Sequence, residues 1–152
     1  MAEVLPAPFD RPDQGFNSLP GWTWIGTYGG YFLQADLRVA LGPAVAGARY
    51  QVHHSVSRQV AASLEPPSTT PVDALLHHLQ ELGAIAPDSE PGHDRLDIRL
   101  AAWAQLLRSG LAAEQIAICP LCTVQEPLLF HSWRRDQVKA VQWSGIVAQA
   151  ES

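Results

Sequence analysis

Apolar and polar positions along the chain change period several times, and each change marks an element. Trp22-Thr23-Trp24-Ile25 and Tyr31-Phe32-Leu33 are aromatic and β-branched, with Gly29-Gly30 between them as a turn signal, so they predict a β-hairpin. Residues 37–41 alternate in part and stop at Gly42-Pro43, which predicts a strand. The period then lengthens. Val52, Val56, Val60 and Leu64 recur at near-helical spacing until Pro66-Pro67, where proline cannot continue the helical hydrogen bonds. Thr70-Pro71 predicts the start of a second helix, with threonine as N-cap and proline at the first helical position. Its apolar stripe is Val72, Leu75, Leu76, Leu79 and Leu82, and Gly83 is placed to end it. Residues 86–93 are rich in Pro, Asp, Ser and Gly and predict a loop. A third helix is expected over 96–109, burying Leu96, Leu100, Trp103 and Leu107, with Gly110 as its C-cap. Ile116-Ala117-Ile118 predicts a short strand, and residues 138–148 another, broken by Ser144-Gly145. Strands at both ends and about three helices between them give an α+β domain with a mixed β-sheet.

Length and charge narrow the functional classes. A chain of 152 residues is the size of one domain. Pro6, Pro8 and Pro12 mark residues 1–20 as a poorly ordered tail, which leaves 21–152 as a single domain. The formal net charge is −5, and Lys and Arg are scattered rather than gathered into a stripe, which excludes nucleic acid as a partner. No apolar run approaches the roughly 20 residues that a membrane span needs. The N-terminus lacks the charged-then-apolar order of a signal peptide. The expected compartment is the cytoplasm, where Cys119 and Cys122 stay reduced.

Three groups of residues could carry chemistry. Cys119-Pro120-Leu121-Cys122 has Cys-x-x-Cys spacing, which suits a redox pair or half a zinc site. The redox reading needs a helix starting at the motif, and Gln125-Glu126 with Pro127 argue against one. A zinc site needs further ligands, for which His93 and His131 are available without ligand spacing. Two partly buried thiols at a strand end are the plainest reading. His53-His54 and His77-His78 are adjacent pairs whose members point about 100° apart on a helix, so neither pair chelates as a unit. Arg134-Arg135-Asp136 could clamp a phosphate or carboxylate through the guanidinium fork, or form a solvated charge cluster. In an extended segment the two arginines face opposite sides, so at most one enters a given pocket. Phosphate-cradling glycine loops and the Gly-x-Ser-x-Gly elbow are absent.

Two blocks of the chain resemble a known family. The first is Leu41-Gly42-Pro43-Ala44-Val45-Ala46-Gly47 followed by Tyr50-Gln51-Val52. The second runs over 96–136, with a Leu-Asp helix start, Cys122-Thr123, and Ser132-Trp133-Arg134-Arg135-Asp136. Their order and spacing resemble the C-terminal part of the laccase-domain family, also called polyphenol oxidase-like or purine nucleoside phosphorylase-like proteins. The resemblance implies a cysteine-hydrolase-like fold, present here in part. It implies phosphorylase action on adenosine, guanosine or inosine at the ribose bond, and deamination of adenosine. Purine nucleoside and phosphate are then the implied partners, and zinc or copper the implied cofactor.

In that family two histidines and a cysteine hold the metal, in central motifs resembling Thr-Ala-Asp-Cys and His-x-Gly-Trp-Arg-Gly, ahead of the Leu-Gly-Pro-Ala block. No histidine or cysteine stands before Leu41 in this chain. Cys122 matches the later Cys-Thr motif, which is not the metal cysteine. No residue takes the metal-ligand role, no catalytic residue is assignable, and no bound metal is expected. A deleted central segment, a separately evolved short protein and a gene-model or assembly error each account for this. Cys122, Thr123, His131, Arg134 and Arg135 are the candidate substrate or pocket residues. Three readings compete: a family enzyme in partial form, inactive by itself; a non-catalytic interaction or remnant domain that pairs with itself or a full-length relative; and a small zinc module on Cys119 and Cys122.

Overall fold

The computed structural model describes residues 22–24, 31–33, 37–65 and 70–142. The tail expected over 1–20 and the 143–148 part of the last expected strand lie outside them. The hairpin forms: β1 (Trp22–Trp24) runs antiparallel to β2 (Tyr31–Leu33), with Trp22 opposite Leu33. β3 (Val39–Leu41) pairs in parallel with β7 (Ile116–Ile118), Val39 opposite Ile116. A third sheet orders its strands β4 (Gln51–His53), β6 (His93–Leu96) and β5 (Ile85–Pro87), all antiparallel. Among the described residues parallel and antiparallel pairing therefore both occur, distributed over three small sheets, in an α+β arrangement with three principal helices.

The third sheet revises the expected elements at two places. Val52 belongs to β4, not to the helix, because α1 (His54–Ala62) begins only after the strand. Residues 86–93 are not simply a loop. β5 and β6 take up their two ends, and a short turn through Gly92 joins the strands. The alternation that would have announced β6 is hidden, because its inward positions are Asp94 and Leu96 and one of those is charged.

α2 (Val72–Glu81) carries the expected stripe, with Leu75, Leu76 and Leu79 buried. Its N-cap is Pro71, without a side-chain cap bond. Thr70 does not cap; its hydroxyl donates to Glu65 Oε2 at 2.6 Å, closing the return from α1 instead. α3 (Ile98–Arg108) starts two residues later than the pattern predicts. Asp97 is its N-cap, accepting from the amides of Arg99 (3.0 Å) and Leu100 (3.3 Å). Leu96 therefore enters the core from β6, and the buried face of α3 is Ala101 and Ala104, with Leu100, Trp103 and Leu107 only half-buried. Both helices end as the glycines foretell. Gly83 and Gly110 sit at φ 74° and 97°, and the following amides of Ala84 and Leu111 return to the carbonyls of Leu79 (2.9 Å) and Leu106 (3.2 Å).

The core lies where α1, α2 and α3 cover the third sheet: Val52, Ala61, Leu64, Leu79, Ile85, Leu96 and Ala104 are all buried there. Residues 133–136 form a single helical turn, α4 (Trp133–Asp136), rather than an extended segment, and 138–142 are not strand. Among the described residues no helix is long and apolar enough to cross a membrane.

Candidate functional site

The two blocks that carry the family resemblance are distant in sequence and adjacent in space. β3 and β7 run side by side, and the parallel pairing continues past their ends. Cys119 N–H donates to Leu41 O (2.9 Å), Ala44 bridges to Cys122, and Thr123 N–H donates to Ala44 O (3.1 Å). The 42–47 loop thus lies along the 119–123 segment as an irregular extension of the sheet.

Arg99 and Asp97 tie both loops to the start of α3. The Arg99 guanidinium donates to the carbonyls of Cys119 (2.7 Å) and Leu121 (3.1 Å) and pairs with Asp97 at 3.1 Å. Asp97 Oδ2 also accepts from Gly47 N–H at 3.3 Å. Gly47 approaches so closely that a Cβ there would stand 3.1 Å from Asp97 Cβ and 3.2 Å from its amide nitrogen, which only glycine permits without displacement. Burial, the largest influence on the Asp97 carboxyl, pushes its pKa up. The Arg99 hydrogen bond and charge, with the amides of Gly47 and Leu100, outweigh that and hold it below the ordinary carboxylate value.

Cys122 sits buried at the centre of this clasp. Its sulfur accepts from Ala46 N–H at 3.2 Å. Burial raises its pKa most, yet the amides of Ala46, Gln125 and Val124 and the charge of Arg99 together bring the thiol below its ordinary value. Thr123 is buried beside it.

Arg135 closes the far side. Its guanidinium donates to the carbonyls of Thr123 (2.8 Å), Val124 (3.1 Å) and Phe130 (2.9 Å), and its Nε donates to Asp136 at 2.6 Å. Every edge of the fork is engaged, so Arg135 shapes the 123–130 loop from within. Asp136 holds its pKa raised, chiefly through the hydrogen bond between them. Arg134 takes a different course. Its guanidinium carbon lies 4.6 Å from the centroid of the Tyr50 ring, a cation–π contact between the two family-like blocks, and its side chain is exposed.

The structure brings Cys122, Thr123 and Arg135 together and sets Arg134 on Tyr50. His131 is exposed next to this region, its backbone N–H donating to Gln142 Oε1 at 3.2 Å. His93 lies away from the cysteines, its ring against that of His53. Sequence reasoning missed Asp97 and Arg99 as clasp residues. The available signal was an acid directly before an apolar helix start, with an arginine inside the apolar run. An apolar depression of about 360 Å³ between α2 and α3, lined by His78, Leu82 and Trp103 among others, is separate from the clasp.

Comparison with known proteins adds a family. A family model described as multi-copper polyphenol oxidoreductase laccase matches residues 30–149. Purine nucleoside phosphorylase slr1573 of Synechocystis is 46% identical over 116 residues, 74% of this chain and 44% of that protein. Purine nucleoside phosphorylase YlmD of Bacillus subtilis is 33% identical over 118 residues, 78% of this chain and 37% of that protein. The crystal structure of YlmD from Geobacillus stearothermophilus matches 64% of this chain and 31% of its own at 28% identity, with a TM-score of 0.49. The chain spans less than half the length of the first two relatives.

Proposed function

This chain belongs to the multi-copper polyphenol oxidoreductase laccase family, and from that premise we propose that it forms one wall of a purine nucleoside phosphorylase site without completing the site by itself. The observation that supports this reading is the clasp. Residues of both family-like blocks, Ala44, Ala46 and Tyr50 from one and Cys122, Thr123 and Arg134 from the other, meet through hydrogen bonds and a cation–π contact.

The wall divides its work between its residues. Arg134 is the contact for phosphate or nucleoside, because its exposed guanidinium offers paired donors to an oxyanion while Tyr50 holds it from behind. Cys122, Thr123 and Arg135 are positioning residues, since the Cys122 sulfur, the Thr123 backbone and the Arg135 guanidinium are committed to the loops around Arg134. His131, exposed beside that loop, is the second candidate contact.

The zinc or copper of the family does not fit the clasp. The Cys122 sulfur takes an amide hydrogen bond with the cationic Arg99 nearby, and among the described residues no three His, Cys, Asp or Glu side chains gather to hold an ion. In this reading the metal ligands, and with them phosphorylase and adenosine deaminase turnover, belong to a part of the family domain that the matched residues do not include.

A second reading, an interaction domain, rests on a separate observation. Leu128 and Val141 are 97% and 78% exposed, and Leu129, Trp133 and Val138 are exposed with them. A run of such side chains suits pairing with another copy or with a full-length relative.

The test is a chimera. Residues 30–149 of this chain replace the matching segment of the Synechocystis phosphorylase, and phosphorolysis of inosine is followed. The expected result is an active chimera whose kcat/KM falls by about tenfold or more on Arg134→Ala, as for loss of a charge-assisted contact. A folded chimera without activity, or one indifferent to Arg134→Ala, overturns the reading.

A further inference from the structure

A second cluster of chemistry-bearing side chains lies on the β4-β6-β5 sheet, apart from the function proposed for the clasp. His53 on β4 stands opposite His93 on β6. Leu96 N–H donates to Tyr50 O (3.0 Å) and His54 N–H donates to Gly92 O (2.8 Å). Alternation between those bonds makes His53 and His93 a non-hydrogen-bonded pair, the kind whose side chains approach most closely. Their rings meet edge to face, with centroids 5.6 Å apart and planes at 83°.

Both rings are anchored through Nδ1. His93 Nδ1 lies 3.2 Å from Pro91 O and 3.8 Å from Glu90 Oε1. Those oxygens only accept, so the ring proton sits on Nδ1 and the lone pair is left at Nε2. His53 Nδ1 lies 2.9 Å from Ser55 Oγ and accepts from Ser55 N–H at 3.3 Å as the N-cap of α1; a lone pair is left at Nε2 once the ring gives up that amide and donates Nδ1–H to the hydroxyl instead. An imidazole that donates its other nitrogen to a carbonyl, carboxylate or hydroxyl is oriented and made more basic for a metal ion. The adjoining His54 follows the same pattern, with Nδ1 at 2.8 Å from Asp94 Oδ2. Glu90 and Asp94 add negative charge around the pair, while Arg95 is drawn off by its ion pair with Asp88.

We propose that His53 and His93 form a two-imidazole chelate for a divalent transition-metal ion of the zinc or copper class. The exposed His53 ring swings to bring both Nε2 atoms onto one ion, exchanging its cap bond from Ser55 N–H for the Ser55 hydroxyl, and water fills the remaining positions. With two protein ligands the site is weaker than a four-ligand structural zinc centre. Adjacent histidines in sequence do not make it; the strand pairing does, by bringing His93 across to His53.

The test titrates tag-free protein with zinc chloride and, separately, with cupric ion, by calorimetry and by the copper electron paramagnetic spectrum. His53→Asn keeps an N-cap acceptor for α1, and His93→Gln keeps a donor for Pro91, so both variants fold; circular dichroism checks this. The wild type should bind one ion with two nitrogen ligands in the copper spectrum. Either variant should weaken binding by roughly tenfold or more, as expected for the loss of one of two imidazoles. The double variant His77→Ala/His78→Ala, on α2, should bind as the wild type does. No saturable binding at millimolar metal, binding unchanged in both His53→Asn and His93→Gln, or binding lost in the α2 variant overturns the proposal.

Discussion

The core under α1 and α2 and the clasp around Cys122 are held by different forces. In the core, Leu79, Ile85 and Leu96 are 0%, 2% and 1% exposed, and the sheet and helices cover one another. In the clasp the inward groups are polar: half-buried Asp97 and buried Arg99, Cys122 and Thr123 are bound to loop backbone, and the neighbouring 128–141 segment leaves apolar side chains in solvent. The first region covers its own apolar side chains, whereas the second holds its polar groups beside exposed apolar ones, and that contrast is why we propose binding for the second and assign stability to the first.

The largest effect should come from breaking the core. Leu79→Ala should cost about 3–4 kcal/mol by cavity formation, seen as a lower urea midpoint with an unchanged slope. Arg99→Ala should cost about 3 kcal/mol, because it removes the charge partner of Asp97, which keeps only its backbone amides, and leaves the carbonyls of Cys119 and Leu121 without their donor. Its signature should differ from that of Leu79→Ala. Hydrogen exchange should accelerate in the 42–47 and 119–125 amides first, while those of α2 stay protected. Equal acceleration in both regions would mean that core and clasp are one cooperative unit.

Gly47→Ala should cost about 1–2 kcal/mol, since the methyl group meets Asp97 Cβ and backbone and one of them must shift. The smallest effect is that of pH. The folded Asp97 carboxyl is held below its ordinary value, chiefly by Arg99 against the opposing pull of burial. The folded state therefore releases this proton more readily than the unfolded chain. The stability it contributes is present above the unfolded value of about 3.9 and is lost as pH falls through the lower, folded value. Urea midpoints measured from about pH 6 downward should drop less steeply for Asp97→Asn than for the wild type; parallel profiles would remove Asp97 from the account.

What the sequence made readable follows the same division. The stripe of α2 and its Gly83 terminus stand out because period and end signal agree. β4 escaped because Val52 also fits a helical spacing with Val56 and Val60, and only pairing with β6 makes it a strand. The clasp was legible as motifs but not as geometry. That Arg135 is spent on the carbonyls of Thr123, Val124 and Phe130, whereas Arg134 rests on Tyr50, depends on how the 123–130 loop folds back, and no local pattern encodes that. The closeness of Ala46 to Cys122 is likewise a product of β3 pairing with β7.

The central claim is that this chain holds a binding wall and not a whole catalytic site. It is tested most directly by incubating the purified 152-residue protein with inosine, phosphate and zinc, and following free base across a gel-filtration profile. The account predicts no free base above the enzyme-free rate in the fractions that contain folded protein. Turnover that co-elutes with the protein and falls on Arg134→Ala would contradict it, and would mean that this chain supplies the reacting groups itself.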